Sequence, residues 1–322
     1  MTLDRFGTSA RVAGFVLGLA ALFAAALGVG AAVGSSAPVA AAPGHDDAHR
    51  SGGADQGTDK PAAAAVSLPG GLTVAQDGYA LRLAAPTAPA GSGVPVSFTV
   101  TGPDGAPVTG FDVQHEKRLH LIAVRRDQTG FQHVHPTLAA DGTWSTALDL
   151  RPGTWRLFAD FKATGGQPLT LGADLAVAGD FAPEPPAAPS RTATVDGYTV
   201  TLTGDVVAGR DARLALSVSK DGRPVTDLDP YLGSYGHLVA LRDGDLAYLH
   251  VHPDGEPGDG RTTAGPEVVF HAAVPSDGRF RLHLDFQHRG VVRTASFVVT
   301  AAGAAMPPAH EATTGGSDGH GH

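Results

Sequence analysis

The chain repeats one long segment, and this internal duplication constrains the fold more than any other sequence feature. Residues 104–136 align with residues 221–253 without a gap. Both copies read Asp-Gly-Xaa-Pro-Val-Thr, then His-Leu, then His-Val-His-Pro. A preceding Asp-Gly-Tyr also occurs in both halves, at 77–79 and 196–198. A unit of about 110 residues is too long for a solenoid repeat and indicates a duplicated domain.

Short apolar stretches separated by turn residues predict strands in each unit. The 43 Gly and 24 Pro argue against a helical protein. In the first unit the predicted strands cover residues 79–83, 94–101, 119–125, 131–135, 143–150, 154–161 and 169–177. About seven strands in about 110 residues is the strand count of an immunoglobulin-like sandwich. The sequence therefore predicts an all-β protein with two tandem immunoglobulin-like β-sandwich domains after an N-terminal hydrophobic helix for export or anchoring.

The N-terminal residues have the composition of an export segment. Arg5 and Arg11 precede an uncharged run at 12–33, and small residues follow as far as Ala41. Cleavage after Ala41 would release a signal peptide. The alternative is an uncleaved anchor, because a helix over 12–33 is long enough to cross a bilayer core of roughly 30 Å. Both alternatives stay open, and both place the rest of the chain outside the membrane.

Composition also predicts the domain boundaries. Two segments rich in Gly, Asp and His cannot bury a core, and a Pro-rich stretch joins the two repeats. The predicted parts are a signal peptide or anchor at 1–42, a disordered linker at 43–66, the first sandwich at 67–180, a Pro-rich linker at 181–191, the second sandwich at 192–302 and a disordered His-containing tail at 303–322.

Charge and sulfur content exclude several kinds of partner and site. The formal net charge of −9 argues against nucleic acid, which is bound by clustered Lys and Arg. The absence of Cys excludes disulfides, blue-copper sites and thiolate zinc sites, and two Met cannot build a Cu(I) thioether site. The sequence contains no phosphate loop, dinucleotide fingerprint or nucleophile elbow. It therefore gives no support for nucleophilic or cofactor-dependent catalysis.

Three histidines of the first repeat are spaced to form a metal site. His133 and His135 are two residues apart on a predicted strand, so their side chains share a face. His120 lies on the preceding strand, and pairing of the two strands would add a third imidazole. Asp160 is the candidate fourth ligand, because it alternates with the apolar residues of its own strand.

The second repeat carries an equivalent set of candidate ligands. They are His237, His250, His252 and Asp285. His283 stands where the first repeat has Phe158, so we expect the second repeat to hold the more complete site. His115 and His288 are candidate accessory ligands without a counterpart in the other repeat.

Residues 119–127, 130–136 and 141–144 resemble exported actinobacterial proteins that are loosely labelled heavy-metal-associated. The motifs Phe-Ala-Asp-Phe at 158–161 and Leu-Gly-Ala-Asp at 171–174 follow the same pattern. The resemblance implies an envelope location and a connection to copper or other metal handling. His-Val-His is also similar to the copper-binding strand of Cu/Zn superoxide dismutase, but the chain lacks the disulfide of that family.

Three functions stay open at this point. The first is an extracytoplasmic module that binds Cu(II) or Zn(II) for metal buffering, delivery or sensing. The second is a non-catalytic structural or interaction module at the cell envelope, with the histidines serving packing. The third is a metalloenzyme of the dismutase or hydrolase type, for which the sequence shows no general base. The expected partners are a metal ion and, through residues 12–33, the membrane.

Overall fold

The computed structural model of the chain describes residues 68–303, which belong to one compact unit. Within that range the chain forms nineteen β-strands and no helix. A helix with the length and apolarity needed to cross a membrane is accordingly not found among these residues. The predicted all-β class is confirmed, whereas the predicted export segment, the linker at 43–66 and the tail beyond 303 lie outside the described residues.

The first repeat is a sandwich of two five-stranded sheets. Its strands are β1 (Ala75–Gln76), β2 (Tyr79–Leu83), β3 (Thr87–Ala88), β4 (Gly91–Thr101), β5 (Leu119–Arg125), β6 (Gln132–Val134), β7 (Thr137–Leu138), β8 (Thr143–Leu150), β9 (Gly153–Lys162) and β10 (Pro168–Val177). One sheet has the order β1-β2-β4-β8-β7 and the other the order β3-β10-β9-β5-β6. Trp144, Trp155 and Phe161 are buried in the core between these sheets.

The second repeat has the same arrangement with one sheet reduced. Its strands are β11 (Thr192–Val195), β12 (Tyr198–Thr203), β13 (Arg210–Lys220), β14 (Arg223–Pro224), β15 (His237–Arg242), β16 (Val251–Pro253), β17 (Glu267–Val274), β18 (Gly278–His288) and β19 (Val291–Ala301). One sheet has the order β11-β12-β13-β17-β16, with β14 beside β13, and the other is β15-β18-β19. Tyr198, Phe270 and Phe286 are buried in its core.

The two repeats pack against each other through one sheet of each. In β5, Leu121 and Ala123 face the core of the first repeat, whereas Ile122 and Val124 belong to a third apolar cluster. This interface core contains Ile122, Val124, Phe131, Phe158, Val239, Leu241, Leu246 and Tyr248. Full burial of each such side chain contributes about 1.5–3 kcal/mol. The two sandwiches therefore behave as one packed unit.

Equivalent residues of the two repeats meet across this interface. Phe131 of the first repeat stacks on His283 of the second, with ring centroids 3.8 Å apart. Tyr248, the counterpart of Phe131, packs against Phe158, the counterpart of His283, at 5.7 Å. Along β5 and β15, residues of the interface core alternate with residues that pack into each repeat's own core, because successive side chains of a strand lie on opposite faces.

Candidate metal site between the repeats

The three candidate histidines of the first repeat lie together. One ring nitrogen from each of His120, His133 and His135 lies within 4.8 Å of the others. They meet because β6 pairs antiparallel with β5, which sets His133 opposite Ile122. His120 is two residues from Ile122 and shares its face, which is the face turned toward the second repeat. The strand pairing on which the predicted three-His set depended is present.

Hydrogen bonds fix the orientation of two of these rings. His120 Nε2 lies 3.1 Å from the carbonyl oxygen of Gln114, which can only accept, so this nitrogen carries the proton. His133 Nδ1 lies 2.8 Å from Asp285 Oδ2 and donates to that carboxylate. Thr294 Oγ1 donates to the other oxygen of Asp285 at 2.6 Å. In the neutral rings the remaining nitrogens, His120 Nδ1 and His133 Nε2, are therefore unprotonated.

These two remaining nitrogens face each other at 3.0 Å. Two lone pairs at that distance repel, so the contact requires a positive charge between them, either a proton or a metal ion. Two imidazole nitrogens bound tetrahedrally to one zinc ion are about 3.3 Å apart. His135 Nε2 is buried close by and has no hydrogen-bond partner. The donor set and its spacing fit a nitrogen-liganded cation.

Asp285 reaches this group from the second repeat. The side chains of His133 and Asp285 are only 2% and 3% exposed. A carboxylate that accepts from the far nitrogen of a metal-bound imidazole fixes its tautomer and raises its basicity. The sequence suggested Asp285 as a ligand for the histidines of its own repeat. The structure places it behind His133 of the other repeat instead.

Burial keeps His120 and His135 neutral. Desolvation, with a smaller contribution from the nearby His133, lowers the pKa of His120 to about 3. Desolvation also lowers the pKa of His135 to about 4. His237, the counterpart of His120, has its pKa lowered well below the usual value, again by burial first. Neutral imidazole is the form that binds a metal ion, so His120 and His135 are ready to bind across the physiological pH range.

A cavity of about 230 Å³ lies beside the group and is lined by both repeats. His120 and His237 lie on its wall with parallel rings whose centroids are 5.2 Å apart. Asp160 also lines it and accepts a hydrogen bond from Thr170 Oγ1 at 3.1 Å. Burial raises the pKa of Asp160 to about 6. Asp160 is opposite His120 in the β5–β9 ladder but is not part of the three-His group.

The corresponding histidines of the second repeat do not assemble in this way. β16 pairs with β17 of the other sheet, which sets His252 opposite His271. His250 and His252 are exposed, with ring centroids 4.0 Å apart. Among residues 68–303 only the first repeat brings three candidate ligands together. The second repeat was expected to hold the more complete site, and the geometry favours the first.

The other candidate histidines have separate surroundings. His283 stacks on Phe131, and its Nδ1 lies 2.8 Å from Ser296 Oγ. His288 lies between the Tyr198 hydroxyl and Asp227, at 2.7 and 3.1 Å.

His115 is close to the group without joining it. Its ring centroid lies 6.0 Å from that of His120 and 5.6 Å from that of His237. Gln114 and Thr294 were missed by sequence reasoning. A backbone carbonyl has no sequence signal, whereas Thr294 could be found only from its pairing with Asp285 in the β18–β19 ladder.

Comparisons with solved structures give distant matches to bacterial adhesins. The chain is similar to the Escherichia coli adhesin FdeC, with 16% identity, a TM-score of 0.24 and coverage of 71% of this chain and 65% of that one. For the Yersinia pseudotuberculosis adhesin InvE the values are 15%, 0.20, 70% and 58%. The chain spans less than two thirds of the length of either structure.

Comparisons of sequence give one result. A family model described as a domain of unknown function, DUF8832, matches the chain at residues 73–179 and again at 193–303. The two matches cover the two repeats. None of the curated proteins compared with the chain matches it.

Proposed function

The chain belongs to the DUF8832 family through both repeats, and we propose that it is an exported metal-binding protein that holds one Cu(II) or Zn(II) ion between them. His120, His133 and His135 are the ligands. Asp285 of the second repeat orients His133. The ion is bound outside the membrane for buffering, delivery or sensing, and no turnover is required.

The contact between His120 Nδ1 and His133 Nε2 carries this proposal. Each ring has its other nitrogen committed as a donor, to Gln114 and to Asp285, so both facing nitrogens offer a lone pair. His135 supplies a third buried nitrogen without a partner. Buried polar atoms are almost always hydrogen-bonded, and a metal ion is one way to satisfy all three nitrogens together.

The ligand chemistry narrows the choice of ion. Imidazole nitrogen suits zinc and Cu(II), whereas thiolate and thioether ligands select Cu(I). The chain has no Cys, and its two Met are not in the group. Three protein ligands also leave a fourth position for water or an incoming donor. Such an open site suits exchange of the ion better than permanent structural binding.

Calorimetric titration with Zn(II) and Cu(II) tests this proposal. The background is the full-length chain with the five histidines outside residues 68–303 replaced by Ala, since these would bind metal loosely. His135→Asn removes one proposed ligand, and His252→Asn is the matched change in the second repeat. We expect His135→Asn to weaken the tightest site at least about 100-fold, while His252→Asn leaves it within about threefold. Equal affinity in the background and His135→Asn proteins would overturn the proposal.

A second candidate function rests on the contact between His133 and Asp285. A proton shared between His120 and His133 would make His133 an imidazolium, giving a buried ion pair that joins the repeats. The chain would then be a non-catalytic envelope module whose histidines serve packing. In that case His135, which makes no hydrogen bond through Nε2, would be dispensable for every property. Loss of metal affinity in His135→Asn without loss of apo-protein stability separates the two functions.

A further inference from the structure

Two exposed histidines of the second repeat lie on the wall of the cavity of about 230 Å³, which is also lined by the buried His120. His250 and His252 line this cavity with His115 and His237. The His250 and His252 rings are perpendicular, with centroids 4.0 Å apart. His115 is exposed as well, with its ring centroid 6.0 Å from that of His120. The cavity wall thus carries exposed imidazoles and the buried His120.

The rings of His115, His237, His250 and His252 form no hydrogen bond within the part of the chain that the structure describes. Among residues 68–303 the histidines whose rings form hydrogen bonds are His120, His133, His283 and His288. The pKa of His250 is lowered first by burial and then by the nearby His252 and His115. The pKa of His115 is lowered first by burial and then by His252. The His250 and His252 rings, whose centroids are 4.0 Å apart, are both available to a cation.

The cavity offers a route to the buried His120. The His133 side chain is 2% exposed, so its nitrogen has little direct contact with solvent. The cavity is lined by His120 at one part of its wall and by the exposed His250 and His252 at another. It also contains one carboxylate, that of Asp160. Anionic and imidazole donors along its wall can replace water ligands as a cation moves inward.

We propose that His250 and His252 form a second and weaker site for a divalent cation that loads the three-His site through the cavity. Two imidazoles two residues apart, with ring centroids 4.0 Å apart, give a bidentate site with open positions, which exchanges its ion faster than a three-ligand buried site. Transfer is a ligand exchange, in which nitrogen donors of the inner group replace those of the outer group. The oxidation state of the ion does not change.

This inference rests on the proposed function, because the outer site has a role only if the inner group binds the ion. It also gives a reason for the different placement of the two His-Val-His-Pro segments. The first segment supplies the buried ligands and the second presents its imidazoles to solvent. If the second segment had the same position as the first, its two imidazoles would also be buried, and the cavity would have no exposed pair of donors.

Stoichiometry and loading rate test the proposal with Cu(II) alone as the probe. The same full-length background is used, with the double variant His250→Asn/His252→Asn. Trp144 and Trp155 are the two tryptophans of the chain, and both lie in the first repeat, so quenching of their fluorescence in stopped flow follows loading there. His283→Phe is the matched control, since it removes an imidazole outside both sets and introduces the residue that the first repeat has at that position.

We expect the double variant to lose the weaker bound ion, to keep the tight one and to load it at least fivefold more slowly, whereas His283→Phe matches the background. Unchanged stoichiometry and rate in the double variant would overturn the proposal, and so would loss of the weaker ion without slower loading. Failure of the proposed function has a different signature, because His135→Asn would then retain the tight ion. The two failures are therefore distinguishable.

Discussion

The same His-Val-His-Pro motif has different positions in the two repeats. In the first repeat it stays beside β5 as far as Val134 and then joins β8 through Thr137. In the second repeat the chain leaves β15 just before the motif begins. The amide of Leu249 still donates to the carbonyl of Ala240, whereas Val251 pairs with Ala272 of β17. Both segments cross from one sheet to the other. The second crosses earlier along its sequence, which takes His250 away from His237.

The segment that follows differs in the same way. A tight turn at 139–142 joins β7 to β8 in the first repeat, whereas residues 254–266 join β16 to β17 in the second. β16 consequently pairs further along its partner strand, at Phe270 to Ala272. Identical motifs therefore do not give identical sites. The connection that follows the motif is longer in the second repeat, and the histidines there lie beside β17 instead of β15.

The largest expected effect of this difference is on the free energy of unfolding, which His133→Ala should change far more than His250→Ala. Removing His133 leaves the Asp285 carboxylate buried without its partner, and breaking a buried pair in this way costs about 3–5 kcal/mol. His250 is exposed, so its removal should change the free energy of unfolding by no more than about 0.5 kcal/mol. Urea denaturation of the metal-free proteins at pH 7.5 measures both. Equal destabilisation by the two changes would mean that the repeats are equivalent after all.

Asp285→Asn and Asp160→Asn form the next pair, because the two carboxylates are equivalent in sequence. Asp285 orients His133, so its substitution should weaken metal binding about 10–100-fold. Asp160 is not part of the three-His group, and its substitution should leave equilibrium affinity within about threefold. Calorimetric titration with Zn(II) compares them. A larger loss in Asp160→Asn would make Asp160 the ligand that the sequence suggested.

His283→Phe tests the contribution of burial to acid sensitivity. Burial lowers the pKa of His283 to about 3 in the native state, whereas the unfolded chain takes up this proton near pH 6.5. Stability is therefore lost as the pH falls from about 6.5 toward 3. Replacement by Phe removes this loss, which is about 2 kcal/mol at pH 5.

Urea denaturation of the metal-free wild-type and His283→Phe proteins at pH 7.5 and pH 5 measures the difference. Metal affinity should not change, since His283 lies outside the three-His group. The same loss of stability between the two pH values in both proteins would contradict the prediction.

A smaller effect with the opposite pH dependence is expected for Asp160. Burial raises the pKa of its carboxyl to about 6, so the native state favours the protonated form. Stability declines as the pH rises from about 4 to 6, and the deficit persists above pH 6. Asp160→Asn keeps an acceptor for Thr170 and removes a deficit of about 3 kcal/mol at pH 7.5. Burial of the Asn amide costs about 2 kcal/mol, so the net gain should be about 1 kcal/mol at pH 7.5 and none at pH 4. Thermal or urea unfolding at the two pH values checks this, and a gain at pH 4 would be inconsistent with it.

Much of the fold could be predicted from the sequence. Strands at 79–83, 119–125 and 143–150 have the predicted bounds. Turn residues mark both ends of the first and the last of these, and the apolar run itself defines the strand at 119–125. The short connection between His120 and His133 is compatible with the pairing of their strands, but a connection of the same length between His237 and His250 does not bring β16 beside β15. Local signals of this kind therefore predict the strands better than their partners.

The contacts between the repeats could not be predicted in the same way. His133 and Asp285 meet only because the two sandwiches pack face to face, and no local signal specifies that packing. One indication was present in Leu-His-Leu-Ile-Ala-Val-Arg at 119–125, where apolar residues do not alternate with polar ones. Strands buried on both faces have this pattern. The early crossing after Leu249 had no signal beyond the longer connection at 254–266.

X-ray absorption spectroscopy of the full-length background, loaded with one equivalent of Zn(II), tests most directly whether the first repeat supplies the ligands. The structure predicts three imidazoles at about 2.0 Å from the ion. The same count should be found in His250→Asn/His252→Asn, and two imidazoles in His135→Asn. A spectrum that changes in the double variant and not in His135→Asn would contradict binding by His120, His133 and His135.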